Sequence, residues 1–280
     1  MILSFHPCFR ADHNIICAGR PPGAGDLAAI RAASAVILSQ GCSQALFEMA
    51  RANCRHVFPN YDARFSFAGK LGQIRLFRQM EMAHPRTESY KNLACFHRRY
   101  GRAPKEVAFS YPFVFKFDWG GEGHTVYCIS SAAGLEDVLQ KAQLFEKSGQ
   151  VGFLIQEYIP NHKKSLRVAV VGREMISYWR IQQRPGSFHA SLSRGAHIDG
   201  DAEPVLRQKA ITAVKAFCEK TGINLAGFDV LFSSKDPNSE PLLLEINYFF
   251  GRRGLGGSER YYQILCKEID LWLKALGLHY

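Results

Sequence analysis

The first 65 residues alternate short apolar runs with stretches of helical spacing. After an opening apolar segment and a Gly/Pro-rich loop, the runs AVILS and HVFPN are short and bounded by turn residues, as strands are. One helix is predicted just after Asp26, and another is predicted to be capped by the hydroxyl of Ser43. Strands that alternate with helices predict a small α/β lobe with a parallel sheet.

The next segment carries two helical patterns and then a change of period. Leu71, Ile74 and Phe77 mark the first helix, and the second is predicted to open at Ser89. From Tyr111 the apolar residues alternate, in YPFVFKFDW and again in TVYCI, with a glycine-rich loop between them. This pattern predicts a β-hairpin, which is followed by a helix and the strand GFLIQEYI.

The remainder alternates strands and helices again. We expect strands at SLRVAVV, MISYWRIQQ, LAGFDVLF and PLLLEIN, a helix from Pro204 to Thr221 ended by Gly222, and a closing helix after a Gly-rich loop. No internal repeat is visible. The chain is therefore predicted to be an α/β protein of three lobes, at residues 1–65, 66–155 and 156–280.

Bulk composition narrows the class of protein. A chain of 280 residues with 47% apolar content can bury a sizeable core, and no apolar run approaches the roughly 20 residues that span a bilayer. The start lacks the apolar core of a signal peptide, so a soluble cytoplasmic protein is expected. The 8 cysteines form no Cys-x-x-Cys pair, which favours reduced thiols, and the net charge of +10 favours an anionic partner without naming it.

Oxygen-bearing side chains mark two of the predicted strands. Alternation places Glu245 and Asn247 on one face of LLLEIN, and Asp229 stands among apolar residues in AGFDVLF. If these strands are neighbours, the three side chains form an all-oxygen cluster suited to Mg²⁺ shared with phosphates. The alternative is that the two acids pair with arginines in the core.

A lysine precedes the glycine-rich loop of the predicted hairpin. Lys116 ends the strand FVFK, and the loop is Gly120, Gly121, Glu122 and Gly123. Glycines let backbone N–H groups approach an anion, and the lysine adds a charge for phosphate. An ordinary hairpin turn would explain the glycines equally well. The chain has no G-x-x-x-x-G-K-[ST] motif, which disfavours a P-loop enzyme.

In chain order these features resemble the ATP-grasp superfamily, most closely the branch of ribosomal-protein glutamate ligases and bacterial glutathione synthetases. The resemblance covers about residues 60–257 and rests on order and spacing. Its carriers are Lys70, Lys116, the segment Gln156-Glu157-Tyr158-Ile159, Arg167, Arg180, Arg194, Asp229 and the strand holding Glu245 and Asn247. It implies two α+β subdomains that grip ATP, preceded by a small α/β lobe.

The resemblance also implies a role for each of these positions. Lys70 and Lys116 would contact the ATP phosphates under a flap formed by Gly120 to Gly123. Adenine would be held at a hinge by backbone groups and by the acid Glu157; the hinge comprises Gln156, Glu157, Tyr158 and Ile159. The resemblance implies that magnesium, as two ions that Mn²⁺ can replace, would bind Asp229, Glu245 and Asn247. Arg167, Arg180 and Arg194 would lie near the transferred phosphate.

The sequence departs from the family pattern at three places. Ser165 stands where an acid often binds the ribose, and Ser191 stands where Asn is common. After Asn247 the usual small residues are replaced by aromatics and by Arg252 and Arg253. One hypothesis is that these arginines bind an acidic or phosphorylated substrate with an apolar part. The alternative is that the aromatics pack into the core and the arginines face solvent.

The expected function is an ATP-dependent ligase that joins a carboxylic acid to an amine or thiol through an acyl-phosphate. A phosphotransferase with the same ATP site, or a non-catalytic nucleotide or nucleic-acid binder, remains an alternative. The chain has no recognisable nucleic-acid-binding signature, and a homo-oligomer is compatible with the sequence. Asp229→Asn or Glu245→Gln is expected to abolish magnesium-dependent ATP consumption with the fold retained.

Overall fold

The first lobe is built on a parallel four-stranded sheet. In a computed structural model that describes residues 1–17, 19–102, 104, 106–121, 123–183, 195–236 and 238–279, its strand order is β2-β1-β3-β4. The elements are β1 (Ile2–Ser4), β2 (His13–Asn14), α1 (Ala24–Ala32), β3 (Ala35–Ile37), α2 (Gln44–Asn53) and β4 (Val57–Phe58). The predicted parallel α/β lobe is therefore confirmed.

The two helix starts of this lobe turn out differently. The Ser43 Oγ accepts a hydrogen bond from Leu46 N at 3.3 Å, so the predicted cap of α2 is confirmed. The prediction that α1 begins after Asp26 is wrong, because Asp26 lies inside its first turn and accepts from Gly23 N at 2.7 Å. An acid in the first turn satisfies backbone N–H groups there as a cap would.

The second sheet is antiparallel, with the order β5-β8-β6-β7. It comprises β5 (Thr87–Tyr90), β6 (Phe113–Phe117), β7 (Val126–Ile129) and β8 (Phe153–Glu157). The helices of this region are α3 (Asp62–Ser66), α4 (Gly69–Gln79), α5 (Leu93–Tyr100) and α6 (Ala132–Lys147). The predicted hairpin is β6 and β7, and the predicted division after residue 155 falls within β8.

The predicted opening of a helix at Ser89 is wrong. Ser89 lies in β5, which pairs with β8, and α5 is capped instead by Asn92, whose Oδ1 accepts from Cys95 N at 2.9 Å. Tyr90 packs its ring against Phe96 and Phe153, at centroid distances of 5.1 and 5.4 Å. Pairing and packing across the fold thus override the local capping signal.

The third sheet is antiparallel, with the order β11-β10-β9-β12-β13. Its strands are β9 (Lys164–Val171), β10 (Glu174–Ile181), β11 (His197–Asp199), β12 (Leu225–Leu231) and β13 (Leu242–Asn247), and its helices are α7 (Pro204–Thr221) and α8 (Gly257–Ala275). The predicted bounds of α7 are confirmed, and Gly222 ends it with φ 72°.

Helix α8, near the C-terminus, packs against the first sheet. Tyr261, Leu265 and Ile269 share one hydrophobic core with Ile2 and Val36 of the first sheet. The first lobe therefore buries its apolar face against the C-terminal helix. Within the described ranges, no helix combines the length and apolar composition needed to cross a membrane.

Candidate active site

A cleft of about 280 Å³ lies between the second and third sheets. Lys70 and Lys116 line one wall, and Asp229, Glu245 and Asn247 line the other. The sequence placed these residues in different elements, and the fold brings them to one cavity.

Strand register explains why the oxygen-bearing side chains share a face. Asp229 on β12 is paired with Glu245 on β13, and on its other side with Arg167 on β9. Asn247 is paired with Gly227, two residues before Asp229. Because side chains of directly paired residues project to the same face, all of these groups except glycine are directed into the cleft.

Asp229 is held by two arginines. Its Oδ1 accepts from Arg167 Nε at 2.6 Å and from Arg180 Nη2 at 2.7 Å, and its Oδ2 accepts from Asn247 Nδ2 at 3.3 Å. Burial alone would raise the pKa of Asp229, but the two guanidinium groups outweigh it, and the pKa lies below its ordinary value. Pairing with core arginines, the alternative left open by the sequence, thus applies to Asp229.

Glu245 differs from Asp229. It is half-buried, lines the same cleft and takes part in no ion pair with another described residue. The negative charge of Glu245 acts on Lys116 and opposes the lowering of the Lys116 pKa by burial. Within the described part of the chain, Glu245 is therefore the carboxylate of the cluster that is not already bound to a cation.

The two lysines are buried but differ in their partners. Lys70 Nζ donates to the carbonyls of Trp119 and Gly120, at 3.2 and 3.0 Å, and so holds the base of the glycine-rich loop. Lys116 projects from the middle of the second sheet, and burial lowers its pKa to about 8 despite the attraction of Glu245 and Asp229. A buried ammonium with so low a pKa gains from an anionic ligand.

Two described positions of the glycine-rich loop, Gly120 and Gly123, have the left-handed backbone that favours glycine. Gly120 has φ 82°, and a Cβ there would come within 2.6 Å of the Thr125 side chain. Gly121 and Gly123 line the cleft, as a phosphate-covering loop would require. Glu122 lies outside the described residues.

The predicted adenine hinge begins at the end of β8. Gln156 is buried and donates through Nε2 to Thr87 Oγ1 at 2.8 Å, whereas Tyr158 and Ile159 follow the strand and line the cleft. The Glu157 carboxylate is committed to Arg86, which donates from its backbone N and its Nε at 2.8 Å each. In this arrangement the Glu157 side chain supports the hinge, and contacts to a base would come from the backbone.

Ser165 and Arg180 form a second supporting contact. The Ser165 Oγ accepts from Arg180 Nη2 at 2.9 Å, so this hydroxyl helps to orient the arginine beside Asp229. The Arg180 Nε is buried and has no hydrogen-bond partner among the described residues. An unsatisfied cationic donor beside the cleft is a place for an anionic ligand oxygen. Ser191 and Arg194 lie outside the described residues.

The loop after Asn247 separates its aromatic residues from its arginines. Phe249 and Phe250 line the cleft, Phe249 with 73% of its surface exposed and Phe250 with 5%. The Arg252 guanidinium stacks over the rings of Tyr261 and Tyr262, at 4.8 and 4.5 Å from their centroids, and Arg253 is exposed. Neither arginine lines the cleft, so their proposed contact with substrate stays a prediction.

Sequence reasoning missed two residues that shape the site. Gln73 of α4 donates through Nε2 to the Ile246 carbonyl and accepts from Ile246 N, each at 2.8 Å. It thereby pairs with the outer edge of β13, between Glu245 and Asn247. Tyr178 lines the cleft and packs on Gly254, where a Cβ would overlap its ring. The contact of Gln73 could not be predicted from sequence, because its partner is the backbone of a strand edge and no residue type marks such a partner.

The residues present fit a magnesium nucleotide. Carboxylate and amide oxygens are the ligand types that Mg²⁺ takes together with phosphate oxygens. The buried lysine of low pKa and the unpartnered Arg180 Nε would each gain an anionic partner from a polyphosphate.

Comparisons with known proteins agree with this fold. The model of the RimK-like ATP-grasp domain matches residues 88–269. Proteins named probable alpha-L-glutamate ligase are similar: that of Enterobacter sp. (strain 638) is 31% identical over 147 residues, covering 51% of this chain and 45% of the relative. That of Marinobacter nauticus is 31% identical over 150 residues, covering 51% and 44%. The chain thus spans less than half the length of these curated relatives.

Solved structures give the same result over more of the chain. The RimK domain protein ATP-grasp from Sphaerobacter thermophilus superposes with a TM-score of 0.63 and 14% identity, covering 95% of this chain and 98% of that one. The VanG D-Ala:D-Ser ligase from Enterococcus faecalis gives 0.61 and 17%, covering 86% and 73%. The ATP-grasp fold expected from the sequence is confirmed.

Proposed function

Since this chain belongs to the RimK-like ATP-grasp domain family, we propose that it is an ATP-dependent ligase that joins a carboxylic acid to an amine. The observation that carries the proposal is the cleft of about 280 Å³, which two buried lysines line together with two carboxylates and an amide. The names of the similar relatives, probable alpha-L-glutamate ligase, support an acid–amine reaction.

Each wall of the cleft has its own proposed task. Lys70 and Lys116 bind the phosphates of ATP, and the backbone after β8 holds the adenine. Asp229, Glu245 and Asn247 would hold magnesium, and the metal would supply neutralisation of charge on the phosphate oxygens. Asp229 already has two arginine partners, so Glu245 is the group most open to metal.

The proposed reaction has two steps. A carboxylate oxygen of the acid attacks the γ-phosphorus of ATP, the bond to the β–γ bridging oxygen breaks, and ADP leaves with its electron pair. The amine nitrogen then attacks the acyl carbon, phosphate leaves with the carbon–oxygen bonding pair, and the nitrogen loses a proton. Arg180 and Arg167 line the cleft, and we assign to them the stabilisation of the negative charge that each step develops.

Two other functions make different predictions. A phosphotransferase would use the same lysines and metal ligands but release a stable phosphorylated product. A non-catalytic nucleotide or nucleic-acid binder would use the cationic cleft without turnover, and its binding to random DNA would fall steeply with salt. The set of metal-type oxygen ligands opposite the lysines favours phosphoryl transfer over simple binding.

The test is a screen of acid and amine pairs for magnesium-dependent ADP release, with glutamate among both the acids and the amines. We expect a pair that releases ADP and free phosphate together, with both signals dependent on the amine. Glu245→Gln should abolish the signal, whereas Glu136→Gln on the exposed face of α6 should leave it unchanged. ADP release with a phosphorylated product and no free phosphate would identify a phosphotransferase, and wild-type turnover in Glu245→Gln would refute the assigned site.

A further inference from the structure

Phe249 is an unusual side chain for its position. Among the described Phe, Tyr and Trp residues it is the only one that is exposed, with 73% of its surface accessible. It also lines the cleft beside Phe250, which is buried against Tyr261 with ring centroids 6.1 Å apart. One aromatic ring of this pair is therefore fixed in the core, and the other is left uncovered in the cavity.

Phe249 lines the same cleft as the proposed nucleotide site but has no task among the proposed nucleotide contacts. Lys70, Lys116, the backbone after β8 and the metal-type oxygens account for ATP. Other residues also line the cleft, among them Arg167, Tyr178, Arg180, Phe249, Phe250 and Gly251. This group combines guanidinium groups with aromatic rings, so it is chemically matched to a ligand that has an anionic group and an apolar group.

The first lobe borders the same region. An ideal Cβ at Gly41 would lie 3.8 Å from Phe249 Cε2, so the backbone at Gly41 approaches the ring closely. Gly41 follows β3 at the carboxyl end of the parallel sheet, where β1 and β3 are neighbours although the chain visits β2 between them. Ligands of open parallel sheets bind outside the carboxyl ends of the strands at such a reversal of strand order.

We propose that Phe249 selects the carboxylic acid substrate, which carries an aromatic or large apolar side chain that packs on this ring while its carboxylate lies toward Arg180. The inference deepens the proposed ligase function and rests on it for the identity of the substrate as the acid. Covering most of an exposed phenylalanine side chain corresponds to about a tenfold gain in affinity, from the area coefficient for apolar burial.

The primary test is equilibrium binding of carboxylates to the full chain, which requires no turnover. The probes are N-acetyl-L-phenylalanine, N-acetyl-L-glutamate and N-acetylglycine, titrated by calorimetry with and without magnesium and a non-hydrolysable ATP analogue. We expect N-acetyl-L-phenylalanine to bind about tenfold more tightly than N-acetylglycine. In Phe249→Ala this preference should fall below about twofold, and Phe249→Leu should keep part of it.

The matched control is Leu144→Ala, which removes another exposed apolar side chain, 65% accessible, from α6 outside the cleft lining. It should leave all three affinities unchanged. Equal wild-type affinity for the three carboxylates, tighter binding of the glutamate probe, or a preference that survives Phe249→Ala would each overturn the inference. If no acid and amine pair releases ADP, the ligase proposal fails, and the binding titrations still decide whether Phe249 selects apolar carboxylates.

Discussion

The first prediction concerns the free energy of unfolding of the ligand-free protein, which burial of the charged Lys116 side chain should lower. Its side chain is buried in the second sheet, and burial lowers its pKa to about 8 from an ordinary 10.5, even with Glu245 and Asp229 attracting the ammonium. We therefore expect Lys116→Met, which keeps the length of the side chain and removes the charge, to stabilise the ligand-free protein. The same change should remove ATP consumption, because it removes the phosphate contact that we propose for Lys116.

The magnitude follows from linkage between protonation and folding. The folded protein disfavours the charged form, so below pH 8 the full cost is present, at about 3 kcal/mol for this difference in pKa at about 1.4 kcal/mol per pH unit. The cost diminishes as the pH rises toward 10.5, where the unfolded lysine also becomes neutral. At pH 10 only about 0.8 kcal/mol should remain. The stability gain of Lys116→Met should therefore be about 2–3 kcal/mol at pH 7 and below about 1 kcal/mol at pH 10.

Urea denaturation of wild type and Lys116→Met at the two pH values measures this difference. Lys215→Met, on the exposed face of α7, is the matched control and should change stability by less than about 0.5 kcal/mol at either pH. A Lys116→Met protein that is less stable than wild type at pH 7 would refute the reasoning. So would a gain of equal size at both pH values, because the effect would then arise from packing.

The other predictions concern the opposite wall of the cleft. Glu245→Gln should abolish magnesium-dependent ATP consumption and keep a melting temperature close to that of wild type. Asp229→Asn should abolish it too and should also lower the free energy of unfolding by about 3–5 kcal/mol in urea denaturation, because it leaves buried arginines unpaired. Equal stability of the two variants would contradict this. Gly254→Ala should displace the Tyr178 ring and reduce kcat/KM at least about tenfold, since small misplacements near the chemistry are costly; unchanged kinetics would show that the ring is not needed. Gln73→Ala should weaken Mn²⁺ binding, measured by electron paramagnetic resonance, and the loss in binding free energy should exceed the loss in free energy of unfolding. Undiminished Mn²⁺ affinity would show that Gln73 does not position the metal ligands.

The stability prediction for Asp229→Asn revises the expectation from sequence that its fold would be retained. The sequence identified Asp229 as a carboxylate that must be paired or metal-bound, and the structure supplies the pairs. Arg167 and Arg180 lie on β9 and β10, and their distances to Asp229 depend on strand register, which no local pattern gives. Asp229 therefore has a structural role in addition to the role in the reaction that we propose for it.

Most of the elements could be predicted because their signals are local. The bounds of α7 follow from Pro204 at its start and Gly222 after its end, and the cap at Ser43 follows from residue type alone. The strand at Ser89 could not, because β5 is defined by its pairing with β8. Short edge strands such as β2 and β11 depend on neighbours from distant parts of the chain and were missed for the same reason.

The residues of the site could be predicted better than their partners. Lys70, Lys116, Asp229, Glu245 and Asn247 all line one cleft, as order and spacing had suggested. The contacts of Glu157 with Arg86 and of Ser165 with Arg180 were not foreseeable, since each joins residues whose separation in sequence carries no information about distance. Both Glu157 and Ser165 also line the cleft, and their expected contacts with a nucleotide stay predictions.

The balance of charge in the cleft connects these observations. Among the described residues, four cationic side chains line it against three carboxylates, of which Glu157 is already paired with Arg86 outside the cleft. The surplus positive charge is buried, and the lowered pKa of Lys116 is one measure of its cost. A magnesium–nucleotide complex carries net negative charge, so its entry would cancel that surplus and raise the pKa of Lys116. If the proposed function is right, the buried cations lower the stability of the ligand-free protein and favour a polyanion, and Lys116→Met should increase stability and weaken nucleotide binding together.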